Sequence, residues 1–130
     1  MRYPGDDYVD VFGIDRYTSG TVDDVVTYYE LAYEASVRHG KVFAITEGLR
    51  NLDSNPMEDF WTNGWLNKII SNSSAKKAAY INFYADHWWC KEDRSDAPSF
   101  LAMSQNPKIR MLSYQRNKIN NARLNNCVIR

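Results

Sequence analysis

The sequence predicts an α/β fold, a partial (β/α)8 TIM barrel in which each of three parallel strands is followed by a helix. Three observations carry this. Apolar runs of strand length alternate with amphipathic or capped helical stretches in the order β-α-β-α-β-α between Tyr8 and Pro107. No hairpin signal joins any two of the strands, so their connections are helical crossovers and the strands run parallel. Crossovers of one hand place their helices on one face of a sheet, whereas parallel sheets are covered on both faces. The uncovered face, read as Val9, Val11, Phe43 and Ile45, then needs the far side of a closed barrel of about 250 residues or more to cover it.

The first element follows the turn signature Tyr3-Pro4-Gly5-Asp6-Asp7. Tyr8 to Tyr17 reads as a strand whose odd positions Val9, Val11, Gly13, Asp15 and Tyr17 share a face under strict alternation. That face turns from apolar to polar towards its C-terminal end. Thr21 is the expected N-cap of a helix, with Asp23 and Asp24 in the first turn, where the helix dipole favours anions. Val22, Val25, Val26, Tyr29, Ala32, Tyr33, Ser36 and Val37 recur at helical spacing. Arg38 and His39 close that helix, with Gly40 just past its end. His39 reads as a surface residue near a helix C-terminus.

Lys41 to Arg50 is the stretch around which the chain is organised. The run Val42-Phe43-Ala44-Ile45-Thr46 leads straight into Glu47, and Gly48 releases the chain. A short apolar run after a helix reads as a buried parallel strand. A carboxylate at the C-terminal end of such a strand stands where α/β proteins keep their chemistry. Glu47, Asp15 and Tyr17 thus collect at one rim.

Asn55-Pro56-Met57-Glu58 is the expected start of a second helix, with Asn as N-cap, Pro at N1 and Glu at N3. Phe60, Trp61, Ile69 and Ile70 are expected to face the core, and Trp61 and Trp65 to be packing residues. Asn72-Ser73-Ser74 fits a glycosylation sequon. Ala78 to Asp86 reads as the third strand, followed by His87-Trp88-Trp89-Cys90. Asp96 is the expected cap of a last short helix through Phe100, Leu101 and Met103, interrupted by Pro107.

Composition narrows the partners. Sixteen basic and sixteen acidic residues give a formal net charge of +0 at pH 7, so no global field recruits nucleic acid or a membrane. The last acidic residue is Asp96, which leaves a basic, polar tail over residues 115–130 outside the globular portion at 1–114. No signal peptide is evident, and no run of about 18 apolar residues is present to span a bilayer. Cys90 and Cys127 lack metal-ligand spacing, and the sequence leaves open whether they pair. No metal site and no cofactor is expected. Aromatic residues make up 14% of the chain, and their polar-edged rings suit both a core and a sugar-binding cleft.

Several pieces together resemble glycoside hydrolase family 26, whose best-known members are endo-β-1,4-mannanases. They are Tyr3-Pro4-Gly5-Asp6-Asp7-Tyr8-Val9-Asp10, Phe12-Gly13-Ile14-Asp15-Arg16-Tyr17 and Ala44-Ile45-Thr46-Glu47, with a looser likeness over Asp96 to Pro107. The resemblance covers roughly residues 2 to 114 and implies barrel strands six to eight. It implies Glu47 as the catalytic nucleophile and Tyr17 as the phenol that hydrogen-bonds and orients it. It further implies a β-mannan or related β-linked polysaccharide as substrate and a secreted or cell-envelope parent protein. Where the family usually has Tyr-x-x-x-Trp-Arg-Asn, this chain has Tyr80 through Tyr84-Ala85-Asp86, so Tyr84 would do the stacking. Asp15, Tyr84, Trp88 and Trp89 are the expected substrate contacts. The family's acid/base lies on the fourth strand, outside these residues, and Asp15 and Asp86 are weak substitutes. The isolated chain is therefore expected to be inactive. The alternative is a catalytically inactive remnant or carbohydrate-binding piece, with the uncovered strand face prone to self-association.

Overall fold

The computed structural model describes residues 3–18, 23, 25–50, 58–83 and 94–110, with backbone alone at 49 and 50. Two compact units are present, Met1–Asn51 with Lys68–Tyr84 and Leu52–Asn67 with Ala85–Arg130.

The first unit is built on two parallel strands, β1 (Val11–Thr18) and β2 (Val42–Arg50), joined by helix α1 (Val26–Arg38). Their register runs Val11↔Val42, Phe12↔Phe43, Gly13↔Ala44 and Ile14↔Ile45, then steps to Asp15↔Glu47. A third segment lies parallel on the other side of β2. The Ala79 N–H donates to Phe43 O at 2.9 Å, Ile45 N–H to Tyr80 O at 3.2 Å, and Asn82 N–H to Ile45 O at 3.0 Å. Of the expected third strand the described residues show one isolated parallel bridge, Ile45↔Ile81, flanked by these bonds; the expected continuation over 84–86 lies outside the described residues.

Helix α1 packs on both strands. Its inner stripe is Val25, Tyr29 and Ser36, all buried, with Tyr33 half-buried and its ring edge-on to Phe43 at 6.0 Å. Burial pushes the Tyr29 phenol up to about 12. Val37, expected on the core side, is 59% exposed, while its neighbour Ser36 takes the buried position in the last turn. The helix begins at Val26 with Val25 in the cap position; the expected cap Thr21, with Val22 and Asp24, lies outside the described residues. Its C-terminus ends in a Schellman motif. Gly40 takes φ 63°, its N–H donates to Val37 O, and Lys41 N–H donates to Ser36 O at 2.8 Å. Only a residue without Cβ adopts that backbone cheaply.

The expectation for the uncovered sheet face needs correction. Phe43 and Ile45 are 3% and 0% exposed, and the register places them with Phe12 and Ile14 on the face that α1 covers. The opposite face carries Val11 and Val42, which are exposed. Up to Ile14↔Ile45, odd positions of β1 match even positions of β2.

The entry to β1 is held at the N-terminal end of the strands. A single 3-10 turn, Asp6–Tyr8, precedes β1. Tyr3 Oη donates to Asp6 Oδ1, His39 Nδ1 lies 2.7 Å from the same oxygen, and Lys41 Nζ donates to Asp6 O at 2.6 Å. The His39 ring stacks on Phe12 with centroids 5.3 Å apart. His39 thus joins the helix end to the entry turn.

Helix α2 (Asn67–Ser71) leads to a 3-10 turn at Ala75–Lys77. Asn72 uses both ends of its amide here. Its Oδ1 accepts from Ser74 N–H and Ala75 N–H at 3.0 and 2.8 Å, and its Nδ2 donates to Glu30 Oε1 of α1 at 2.9 Å. The sequon is therefore a structural clamp, with the nitrogen that a glycan would need already engaged.

In the second unit, a π-helical turn (Phe60–Leu66) packs on helix α3 (Ala97–Ser104). Of the helix expected from Asn55, residues 55–57 lie outside the described residues, and Glu58 sits in an exposed turn. Asp59 O instead collects Thr62, Asn63 and Gly64 N–H groups at 3.2, 2.8 and 3.5 Å, which opens the turn to π geometry. Phe60 and Trp61 are fully buried as expected, and Trp61 meets Phe100 edge-on at 4.9 Å. Asp96 stands at the N-cap of α3, but its carboxylate does not cap. It is fully buried and forms a bidentate pair with Arg94 at 2.8 Å for each bond, while its carbonyl accepts from Phe100 N–H at 3.0 Å.

Candidate active site

The C-terminal ends of β1 and β2 bring together three of the residues singled out in the sequence. Tyr17 Oη donates to Glu47 Oε2 at 2.8 Å, and both side chains are half-buried. Asp15, exposed, is the register partner of Glu47 on the neighbouring strand.

A β-bulge produces this grouping. Between Ile14↔Ile45 and Asp15↔Glu47 the second strand carries one extra residue, Thr46. Without it, alternation would point Glu47 to the helix side, with Ile45. With it, Thr46 and Glu47 both lie on the side of Gly13, Asp15 and Tyr17. Thr46 Oγ1 donates to Asp15 Oδ1 at 2.6 Å. Gly48 then returns to the helix side, where a Cβ would sit 3.0 Å from Ile45 Cγ2 and 3.5 Å from Tyr29 Oη. Thr46 lies directly over Gly13, where a Cβ would come within 2.6 Å of Thr46 Cγ2.

Two carboxylates opposite one another across a strand pair repel. Here each accepts a hydrogen bond from a neutral hydroxyl, Asp15 from Thr46 and Glu47 from Tyr17. The guanidinium next to Asp15 in sequence, Arg16, is turned to the other face, 4.1 Å over the Tyr28 ring. Among the described residues no cation pairs with Glu47. A carboxylate positioned by a phenol, with its second oxygen not spent on a counter-ion, is equipped to attack an electrophilic carbon or to accept a proton. Among the described residues no group of three metal-ligating side chains occurs.

Tyr84, Trp88, Trp89 and Asp86 lie outside the described residues, as do Cys90 and Cys127. Thr46 escaped the sequence reading. Its signal was Gly13, since a glycine inside an apolar strand marks a bulge or a close backbone approach. Among the described residues no helix is long and apolar enough to cross a membrane.

No family model and no curated protein matches the chain by sequence. Solved structures do match. The catalytic domain of the Bacillus sp. JAMB-750 GH26 endo-β-1,4-mannanase superposes with a TM-score of 0.69 at 20% identity, over 85% of this chain and 34% of that one. The GH26 β-mannanase BoMan26A of Bacteroides ovatus gives 0.70 at 25% identity, over 84% and 33%. The modular endo-β-1,4-mannanase of Cellulomonas fimi gives 0.70 at 27% identity, over 82% and 26%. The chain spans about a third or less of the length of these neighbours. Its parallel β-α-β core thus has the fold of glycoside hydrolase family 26 β-mannanases across that part of their length.

Proposed function

We propose that these residues form strands six to eight of a family 26 barrel and supply the nucleophile half of a retaining glycosidase acting on β-mannan or a related β-linked polysaccharide. The observation that supports this reading is the Tyr17–Glu47 hydrogen bond at the C-terminal rim of two parallel strands. Glu47 attacks the anomeric carbon and forms a glycosyl ester while the acid/base gives its proton to the departing oxygen. Water, losing a proton to the same acid/base, then attacks that carbon and releases the carboxylate. Tyr17, donating to Glu47 Oε2, holds the rotamer of the carboxylate. Asp15, Tyr84, Trp88 and Trp89 contact the sugar. The acid/base, required about 5–5.5 Å from the nucleophile, belongs to the fourth strand. The parent protein is secreted or attached to the cell envelope.

An aryl 2-deoxy-2-fluoro-β-mannoside with a dinitrophenolate leaving group tests the nucleophile, because that group departs without a proton. In the natural polypeptide that carries these residues, the expected result is one fluorosugar esterified to Glu47, located by peptide mass spectrometry and lost in Glu47→Gln. Labelling elsewhere, or labelling that survives Glu47→Gln, overturns the assignment. The 130-residue chain alone is expected to release no sugar from mannan; release would show that another group serves as the acid.

A further inference from the structure

We propose that Thr46 is a positioning residue: seated on Gly13 and bonded to Asp15, it fixes the bulge that turns Glu47 towards Tyr17. The inference rests on the nucleophile reading of Glu47 only for its catalytic consequence; the geometry stands apart from it.

The two contacts of Thr46 act on one backbone feature. A bulge inserts a residue without a ladder partner, so something other than the regular ladder must specify where it sits. The close approach of Thr46 to Gly13 selects the position, since any side chain at 13 would collide with Thr46 Cβ, Cγ2 or Oγ1. The Oγ1–Asp15 bond selects the rotamer of Thr46 and ties the inserted residue across to β1. Sliding the bulge by one residue would move Glu47 to the helix side and break its bond to Tyr17, because strand side chains alternate. Asp15 therefore acts through Thr46 with one oxygen, and its other oxygen remains able to accept from a sugar hydroxyl.

The test uses the chain labelled with 13C at tyrosine Cζ, whose resonance reports what the phenol donates to. Glu47→Gln provides the position of Tyr17 without its carboxylate partner. Thr46→Val, isosteric but without a hydroxyl, is expected to move the Tyr17 resonance most of the way to that position, while Thr46→Ser leaves it at the wild-type value. Tyr17 unmoved in Thr46→Val, or moved equally in both variants, overturns the proposal. Should Thr46→Val fail to fold, Asp15→Ala at an exposed position carries the same expectation and the same refutation. The fluoromannoside separates this from the function above. Glu47 labelled with Tyr17 unmoved in Thr46→Val rejects the positioning role alone. Tyr17 displaced with Glu47 never labelled rejects the nucleophile alone.

Discussion

The two ends of the β1–β2 pair use the same chemical couple, a tyrosine hydroxyl donating to a carboxylate, for different ends. At the entry, Tyr3 and Asp6 are three residues apart in one turn, and the carboxylate is also met by His39, with Lys41 close by on the Asp6 carbonyl. At the exit, Tyr17 and Glu47 are thirty residues apart on neighbouring strands, and the next charged group across the ladder is another carboxylate. The Asp6 carboxylate, tied to a phenol and an imidazole, acts as a staple between helix end and entry turn. Among the described residues the Glu47 carboxylate accepts from a hydroxyl and pairs with no cation, which leaves it open to an electrophile. The lesson is that placement and neighbours, not the Tyr–carboxylate couple, separate a fastener from a site.

Breaking the exit end has the largest expected effect. Glu47→Gln abolishes the fluorosugar adduct, whereas Asp6→Asn leaves its rate of formation unchanged in the same polypeptide. Next is Ile45→Ala, which removes a fully buried side chain from the strand that both ends share. It is expected to cost about 2–5 kcal/mol in denaturant unfolding, the range for emptying a packed aliphatic site. Tyr17→Phe deletes one hydrogen bond to a charged group, about 1.5–3 kcal/mol. It should slow adduct formation roughly 10- to 100-fold. Tyr3→Phe, chemically the same deletion, should leave that rate untouched and lower the thermal midpoint only slightly. A rate loss in Tyr3→Phe as large as in Tyr17→Phe would erase the distinction between the two ends.

The smallest effect is on pH. The Tyr3 hydroxyl, followed by His39 and Lys41, holds the Asp6 carboxyl below the usual carboxylate range. A depressed folded-state pKa stabilises the fold above the ordinary carboxylate value, about 4, and that contribution is lost as pH falls below it. Acid unfolding of the wild type and Asp6→Asn should therefore differ at pH 6 and converge as the pH falls well below 4. Curves that stay separated by the same amount throughout would show that Asp6 contributes through shape and not charge.

Much of the first unit was legible in residues. Gly40 after Arg38-His39 marks a helix end because the sixth-to-first hydrogen bond of a Schellman motif needs positive φ, and that signal is local. The apolar run ending in Glu47 marks a buried parallel strand for an equally local reason. Less legible was the pairing of faces. Alternation within each strand is a property of that strand, whereas the side of the sheet that Phe43 and Ile45 take relative to β1 is set by the register between strands, which is not local. Asp96 shows the same limit: an acid before a helix reads as a cap, and only the fold revealed that Arg94 takes both oxygens. Asn72 reads as a sequon for the same reason, its partner Glu30 being forty-two residues away.

By itself, then, the sequence determined the β1–α1–β2 unit, its parallel connection and the end of the strands that carries Glu47, Tyr17 and Asp15. These follow from periodicity, capping and strand length, which short stretches of chain encode. The tertiary structure alone decided which way Glu47 points. That depends on a single inserted residue, Thr46, finding room over a glycine on another strand, and such room exists only once the two strands lie side by side.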